Sequence, residues 1–195
     1  MAAGRPRSFC KNQALDRALE VFWRQGFEGA SICHLTEAMG INPPSLYAAF
    51  GNKEQLFRQA LDRYAEVYAE RRTALLAAPT GREAIEALLR DAARSLTDKS
   101  SPTGCLYVQA IAGGGEHGAC IREMLKTKRE DSERELRERL ERAKAEGELP
   151  DDADPAALAR FITTVAQGMS VQASGGATRK ELERVVDFAL GAWPS

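Results

Sequence analysis

The side chains best suited to bind phosphate fall in one short stretch of the sequence, residues 31–53. Ser31 offers a hydroxyl group where a helix should begin, while Tyr47 and Lys53 offer a phenol and an ammonium group further along. Hydroxyl groups, ammonium groups and the backbone N–H groups at helix N-termini hold phosphate oxygens in proteins. The stretch therefore predicts a surface that lies along a nucleic-acid backbone.

A basic segment precedes this stretch. Residues 1–11 contain Arg5, Arg7 and Lys11 and no acidic residue. Two interpretations remain open: a solubilising tail, or an arm that lies along phosphates.

Two short helices joined by a tight turn would position this chemistry. Ser31 is a suitable N-cap, and Gly40 suits the end of that helix. Asn42 can cap the next helix, and Pro43 suits its first position because proline lacks the N–H group that would be unsatisfied there. The range 31–50 thus predicts a helix-turn-helix, in which the second helix presents side chains to the major groove of DNA.

The two faces of the second helix have different residues. Leu46 and Phe50, four residues apart, should face the core of a three-helix unit. The residues left on the other face, toward DNA, are Pro44, Ser45, Tyr47 and Ala48.

Helical periodicity continues through the remaining chain, so the predicted fold class is all-α. The first helix should end at Gly26, where a left-handed backbone is wanted. N-terminal capping signals predict the starts of four further helices: Asn52 with Gln55, Thr80 with Glu83, Asp154 with Pro155, and Thr178 with Glu181.

A highly charged helix is predicted from about residue 118 to 146. Glutamates and arginines recur there four residues apart, as in Glu135 and Arg139. We interpret this run of charges as a solvated face rather than a nucleic-acid-binding tract.

Composition excludes several classes of protein. The chain has 195 residues, of which 44% are hydrophobic and 28% charged, with a net charge of −1, as in ordinary globular proteins. It has no apolar run of the roughly 18 residues that span a bilayer, and no apolar signal core at its start. We expect a cytoplasmic protein without a membrane partner, whose four cysteines (Cys10, Cys33, Cys105 and Cys120) are free thiols.

No catalytic constellation is visible, so we expect no enzyme activity and no cofactor. The sequence lacks a nucleophile elbow and a phosphate-cradling glycine loop, and it has only two histidines, His34 and His117. Glu116, His117 and Cys120 could share one ion, but structural zinc sites need three or four ligands and we predict no metal site.

The run ALEVFWRQGFEGASICHLTEAMGINPPSLYAAFGNKEQLF, from Ala18 to Phe57, resembles the DNA-binding domain of the TetR family of bacterial transcriptional regulators. The resemblance covers about residues 8–68. It implies a homodimer whose two headpieces bind a palindromic operator, usually as a repressor released by a small ligand. The remaining residues, 69–195, would form a helical regulatory and dimerisation domain.

The resemblance also implies roles for individual residues. Ser31, Tyr47 and Lys53 match phosphate-contacting positions. Many relatives carry histidine where Ala48 or Ala49 stands, so base contacts here should be few and partly apolar, for instance against thymine methyl groups. The predicted DNA-binding residues are Arg5, Arg7, Ser31, Asn42, Pro43, Pro44, Ser45, Tyr47 and Lys53.

The resemblance implies that the last two helices pair with those of a second copy. The small residues Ala166, Gly168 and Ala173 would permit close helix approach. An alternative is that the apolar residues of these helices fill the core of one chain. The predicted interface residues are Leu158, Ala166, Leu182, Val185, Val186, Ala189 and Trp193.

A ligand pocket in the second domain would need apolar walls and a few polar groups. The same side chains could equally be plain core. The candidates are Tyr64, Tyr68, Leu88, Cys105, Leu106, Tyr107, Met124, Phe161, Val165 and Met169. Alternatives to a ligand-released repressor are a thiol-based redox or electrophile sensor that uses Cys105 or Cys120, and a helical interaction module that binds no DNA.

Overall fold

The computed structural model describes residues 9–112 and 118–194, with side chains for residues 9–110 and 121–194, and these residues form nine helices and no strand. The all-α prediction is confirmed. Arg5, Arg7, Glu116 and His117 lie outside the described residues, as does the side chain of Cys120. The helices are α1 (Lys11–Gly29), α2 (Ile32–Met39), α3 (Pro43–Phe50), α4 (Lys53–Leu76), α5 (Gly81–Leu96), α6 (Leu106–Ala112), α7 (Gly118–Ala145), α8 (Pro155–Ser174) and α9 (Arg179–Gly191).

The chain divides into two compact units, residues 1–68 and residues 69–195. Helix α4 begins in the first unit and ends in the second. The first unit contains α1, α2 and α3, and the second contains α5 to α9.

Aromatic side chains from α1 and α4 form the core of the first unit. The ring of Phe22 meets the ring of Phe57 edge to face, with centroids 4.8 Å apart, and Trp23 meets Tyr64 in the same way at 5.0 Å. Such pairs contribute about 0.5–1.5 kcal/mol each beyond the area they bury. Tyr64, a predicted pocket residue, is 7% exposed and belongs to this core, which supports α2 and α3.

Helix α1 changes direction at Gly26, whose φ of +69° interrupts the helical backbone. A positive φ is confirmed at the predicted residue, but α1 extends beyond it to Gly29. The last turn places Phe27 against Phe57, with ring centroids 5.2 Å apart. Packing of this aromatic ring explains why the chain adds a turn after the glycine.

The core of the second unit is built from α5, α7, α8 and α9. The predicted capping boxes of Thr80 with Glu83 and of Thr178 with Glu181 are both present, and Asp154 caps α8. Each cap satisfies backbone N–H groups that have no partner inside the helix. The side chains with the least exposure in this core include Ile85, Leu89, Leu140, Ile162 and Val186.

Helix α7 departs from the predicted solvated face at Arg139, which is only 4% exposed. Its Nε atom donates to the carbonyl oxygen of Leu76 at 3.1 Å, and its Nη2 atom donates to that of Ala78 at 3.1 Å. Carbonyl groups at a helix C-terminus lack hydrogen-bond partners within the helix. At the end of α4, the guanidinium group of Arg139 is that partner. The predicted pairing of Glu135 with Arg139 is wrong, because Glu135 instead accepts from Arg72 at 2.6 Å.

Among the described helices, none combines the length and the apolar character that crossing a bilayer requires.

Candidate nucleic-acid interface

The N-terminus of α2 is formed as its sequence predicts. Ser31 is the N-cap, and its Oγ atom accepts a hydrogen bond from the backbone N–H of His34 at 3.1 Å. Leu35 and Met39 are buried beneath the helix. Gly40 ends α2 with φ +67° and ψ +33°, the left-handed conformation that glycine adopts without strain. Ser31 is thereby held at an exposed helix N-terminus.

The turn into α3 also follows the prediction. The Oδ1 atom of Asn42 accepts from the backbone N–H of Ser45 at 2.9 Å, and Pro43 opens the helix. The backbone N–H of Ile41 donates to the carbonyl of Thr36 at 3.1 Å, which closes the turn. The connection between the two helices is therefore short and well bonded.

Helix α3 has the two faces predicted from its sequence. Leu46 is fully buried and Phe50 is 3% exposed, so both point into the first unit. Tyr47 is 51% exposed, and Ser45 is half-buried. The other exposed residues at this end of the unit are Asn42, Pro43, Pro44 and Ala48.

Lys53, at the start of α4, is held against the last turn of α1. Its Nζ atom lies 4.6 Å from the centroid of the Phe27 ring and donates to the carbonyl oxygen of Glu28 at 3.4 Å. Burial lowers the pKa of Lys53 below its usual 10.5, and the charge of Glu28 opposes this by raising it. The ammonium group is thus fixed in place at one edge of the helix-turn-helix rather than extended into solvent.

One positively charged residue near this surface, Arg17, was not predicted from the sequence, whereas Lys11 was already part of the predicted basic segment. Arg17 of α1 is exposed and lies beside Gly40 in the turn between α2 and α3. A Cβ atom added to Gly40 would lie 3.4 Å from Arg17 Nη1. Lys11 places its Nζ atom 5.3 Å from the centroid of the Phe50 ring. The basic segment already pointed to Lys11, whereas no local pattern distinguishes Arg17 from any other exposed arginine on a helix.

Three of the predicted interface residues occupy a different place. Val186 is fully buried within one chain, while Leu182 is 1% and Ala189 6% exposed, and all three lie in the core of the second unit. A side chain with almost no exposed surface in one chain has none to offer a second copy, so these three residues are assigned to the core. Leu158, Ala166 and Trp193 are half-buried against that core.

A different set of apolar side chains on α8 and α9 is exposed. Phe188 is 83% exposed and Val185 41%, on α9; Val171 is 56% exposed and Phe161 39%, on α8. Phe161 was predicted to line a pocket, and Phe188 was missed because it falls outside the main apolar stripe of α9. On α8 the exposed stripe is uncharged and consists of Ala157, Phe161, Thr164, Gly168 and Val171.

The remaining pocket candidates divide between the two units. Tyr68 belongs to the first unit, where its ring lies 4.5 Å from that of Tyr64. In the second unit, Cys105 donates its backbone N–H to Ser170 Oγ at 2.8 Å. Leu106 and Met169 are buried. The half-buried candidates are Leu88, Cys105, Tyr107, Met124 and Val165, of which Leu88, Cys105 and Val165 pack against the core cluster that contains Met169.

Among the described cysteines, Cys10 and Cys33 are exposed free thiols, and Cys105 is half-buried. Within the described ranges, no three histidine, cysteine or acidic side chains approach one another closely enough to hold a metal ion. The candidate ligands Glu116 and His117, and the thiol of Cys120, lie outside those ranges.

Comparison with known proteins assigns a family to each unit. Residues 14–60 match the family described as bacterial regulatory proteins, tetR family, and residues 81–188 match the family described as tetracyclin repressor-like, C-terminal domain. The HTH-type transcriptional repressor ComR of Escherichia coli K12 is 36% identical over 195 residues, which cover 98% of this chain and 92% of ComR.

Solved structures agree with this assignment. One of these structures is a variant of the TetR family regulator CifR with three cysteines replaced, complexed with 26-bp double-strand operator DNA. Its sequence is 46% identical to this chain and its TM-score is 0.94. The match covers 98% of this chain and 100% of the CifR chain. A TetR regulator from Rhodococcus sp. RHA1 is 41% identical with a TM-score of 0.65, covering 93% of this chain and 97% of that one.

Proposed function

Because this chain belongs to the TetR family and is a DNA-binding transcriptional regulator of the helix-turn-helix type, we propose that it is a repressor that binds a palindromic operator as a homodimer. In this proposal, residues 8–68 bind DNA and residues 69–195 form the regulatory and dimerisation domain. A small apolar or aromatic ligand in the second domain releases the operator.

The exposed surface of α2 and α3 carries the proposal. Ser31 Oγ already accepts from a backbone N–H, so its own hydroxyl hydrogen can donate to a phosphate oxygen. Tyr47 holds its phenol on the exposed face of α3. Ser31 stands at the N-terminus of α2, where backbone N–H groups already favour an anion. The exposed surface of α2 and α3 is therefore suited to bind the phosphate backbone of DNA.

In this proposal, residues at the start of α3 recognise the base sequence of the operator. Ser45 can exchange hydrogen bonds with base edges, while Pro44 and Ala48 offer apolar contact to thymine methyl groups. The names of two relatives support this use of the fold, since ComR is a repressor and the CifR variant is complexed with operator DNA.

The exposed apolar side chains of α8 and those of α9 support the homodimer. Phe188 and Val171 are more than half exposed, and burying apolar surface contributes about 25 cal/mol per Å². Exposed large apolar groups that share a face indicate an interaction surface. A second copy related by a twofold axis presents the same face, and the two headpieces then address the two halves of a palindrome.

Selection from a random pool of DNA duplexes tests this function. The expected result is an enriched palindrome with half-sites separated by whole helical turns of about 34 Å. Tyr47→Phe should weaken binding to every duplex by a similar factor, whereas Ser45→Ala should change which bases are preferred at one position in each half-site. Recovery of no enriched sequence by the folded wild-type protein would overturn the proposal in favour of an interaction module that binds no DNA.

Release by a ligand is the second part of the proposal. Leu88, Cys105 and Val165 are half-buried and pack against the core cluster of the second unit, and ligand sites are lined mainly by apolar side chains. A ligand shifts operator binding only if its affinity differs between the DNA-binding state and the state that does not bind DNA. Typical coupling free energies of about 1–3 kcal/mol change operator affinity about 5- to 150-fold. A compound found by thermal-shift screening should therefore bind the free protein more tightly than the operator complex, and equal affinity in both titrations would contradict release.

Thiol sensing is a second candidate, favoured by one observation: the side chain of Cys105 is only half-buried. Oxidation or alkylation requires access of this kind. N-ethylmaleimide should then abolish operator binding by the wild-type protein and not by Cys105→Ser. Equal loss in both proteins would reject Cys105, and Cys120→Ser tests the other candidate thiol.

A further inference from the structure

An exposed hydrogen bond joins α1 to the start of α2. The Nδ1 atom of His34 lies 2.9 Å from the Oε1 atom of Gln25, the last residue before the change of direction at Gly26. The side chains of His34 and Gln25 are both exposed. His34 also donates its backbone N–H to Ser31 Oγ. The contact with Gln25 therefore holds an imidazole ring one turn from the hydroxyl group that we propose contacts a phosphate.

This hydrogen bond determines what the other ring nitrogen of His34 can do. The side-chain oxygen of glutamine accepts and cannot donate, so Nδ1 carries the proton in the bond with Gln25. In a neutral ring Nε2 then has no proton and can only accept, whereas in the charged imidazolium both ring nitrogens donate. Among the described residues, Nε2 has no hydrogen-bond partner. Because phosphate oxygens accept and do not donate, only the imidazolium form can bind a phosphate through Nε2.

Charges of both signs surround the imidazole ring of His34. The titratable residues around it are Cys33 and Glu37 of α2, Arg24 and Glu28 of the adjoining part of α1, Tyr47 of α3, and Lys53, which is held at Glu28. The two glutamates favour a charged ring, whereas Arg24, Lys53 and the positive end of the α2 helix dipole oppose it. No ion pair of the described residues involves His34. A phosphate brought close to Nε2 adds a negative charge and shifts this balance toward the imidazolium.

We infer that His34 is a further DNA-binding residue: Gln25 orients its imidazole so that Nε2 takes up a proton from solvent and donates it in a hydrogen bond to a backbone phosphate. Operator binding is then coupled to the uptake of one proton per protomer. This inference rests on the proposed function and deepens it, because it makes operator affinity depend on pH through a single named residue.

Operator affinity measured across a series of pH values at constant salt tests the inference, with the palindromic duplex selected by the wild-type protein as the probe. Histidine gains or loses its proton between about pH 5 and 8. Affinity should therefore fall as pH rises through this range, by at most about tenfold per pH unit for each protomer. His34→Gln retains a donor but carries no charge, and His34→Lys stays charged, so both variants should lose this part of the pH dependence.

Calorimetric titrations of the same duplex, in buffers with different ionisation enthalpies, count the protons taken up on binding. Near pH 7.5, the wild-type protein should take up more protons than His34→Gln, by up to about one per protomer. Equal uptake and equal pH dependence in these two proteins would overturn the inference. Thermal melting without DNA, followed by circular dichroism, confirms that the variants are folded.

A double-mutant cycle tests the role of Gln25 as a positioning residue. At pH 6, Gln25→Ala should weaken operator binding several-fold in the wild-type background and have little effect in the His34→Ala background. Gln13→Ala is the matched control, because this exposed glutamine of α1 has no contact with His34 and its effect should be the same in both backgrounds. Equal effects of Gln25→Ala in the two backgrounds would contradict the positioning role. If the wild-type protein selects no duplex, the proposed function itself fails, whereas a selected duplex bound without proton uptake removes His34 alone.

Discussion

The ammonium group of Lys53 lies 4.6 Å from the centre of the Phe27 ring, which joins the start of α4 to the last turn of α1. That turn is the part of α1 that continues past Gly26 to Gly29. The contact places a fixed positive charge at the edge of the surface formed by α2 and α3.

Lys53→Met should therefore weaken binding to all duplexes by a similar factor. Loss of one phosphate contact should reduce the salt slope by about 0.9 for each protomer bound. The measurement is operator affinity across a series of salt concentrations. Lys99→Met, at an exposed lysine of the second unit, is the control and should leave the slope unchanged. An unchanged slope in Lys53→Met would remove this lysine from the interface.

Lys53 should also affect how stability depends on pH. Burial lowers its pKa in the folded protein below the usual 10.5, so between these two values the unfolded chain binds more protons than the folded one. The free energy of unfolding contributed by this group then rises with pH in that window. Urea titrations without DNA, from about pH 8 to pH 10.5, should show the wild-type protein gaining stability relative to Lys53→Met. A constant or falling difference would show that Lys53 is not desolvated.

Substitutions at two residues of α9 distinguish the core of the second unit from the proposed dimer interface. Val186→Asp places a charge in the core and should cost about 3 kcal/mol or more, so the chain should lose its cooperative fold. Phe188→Asp changes a side chain that is 83% exposed and should give a folded monomer. Circular dichroism and sedimentation velocity distinguish the two outcomes. A folded Phe188→Asp protein that remains a dimer would place the interface elsewhere.

The buried guanidinium group of Arg139 gives a test of the second unit. Arg139→Met should leave the carbonyl groups of Leu76 and Ala78 without this partner, at about 1–3 kcal/mol for each. Arg137→Met is the matched control on the same helix, because Arg137 is exposed and pairs with Glu141 at 3.3 Å, a contact of less than about 1 kcal/mol. Equal destabilisation by the two variants in urea titrations would contradict the capping role.

The features that sequence predicted well are local ones. Ser31, Asn42 and Thr80 cap helices because an N-cap depends on a side chain and backbone groups only two or three residues away. The inward positions of Leu46 and Phe50 likewise follow from helical spacing alone.

The features that sequence missed depend on distant partners. Arg139 is in a run of charges, and only the end of α4, some sixty residues earlier, makes it a buried cap. Val185 and Val186 are both apolar, yet adjacent residues point about 100° apart on a helix, and the pattern does not say which side the core covers. The ring centroids of Phe9 and Phe50 lie 6.3 Å apart although forty-one residues separate them along the chain, and neither predicts the other.

The most direct test of the account compares two duplexes in an equilibrium titration of the wild-type protein: the selected palindrome, and the same duplex with one half-site scrambled. If two headpieces bind through α2 and α3, scrambling one half should remove about half of the specific binding free energy. Specific binding typically exceeds non-specific binding by about 10³- to 10⁷-fold, so the expected loss of affinity is about 30-fold or more. Equal affinity for the two duplexes would contradict a dimer that reads a palindromic operator.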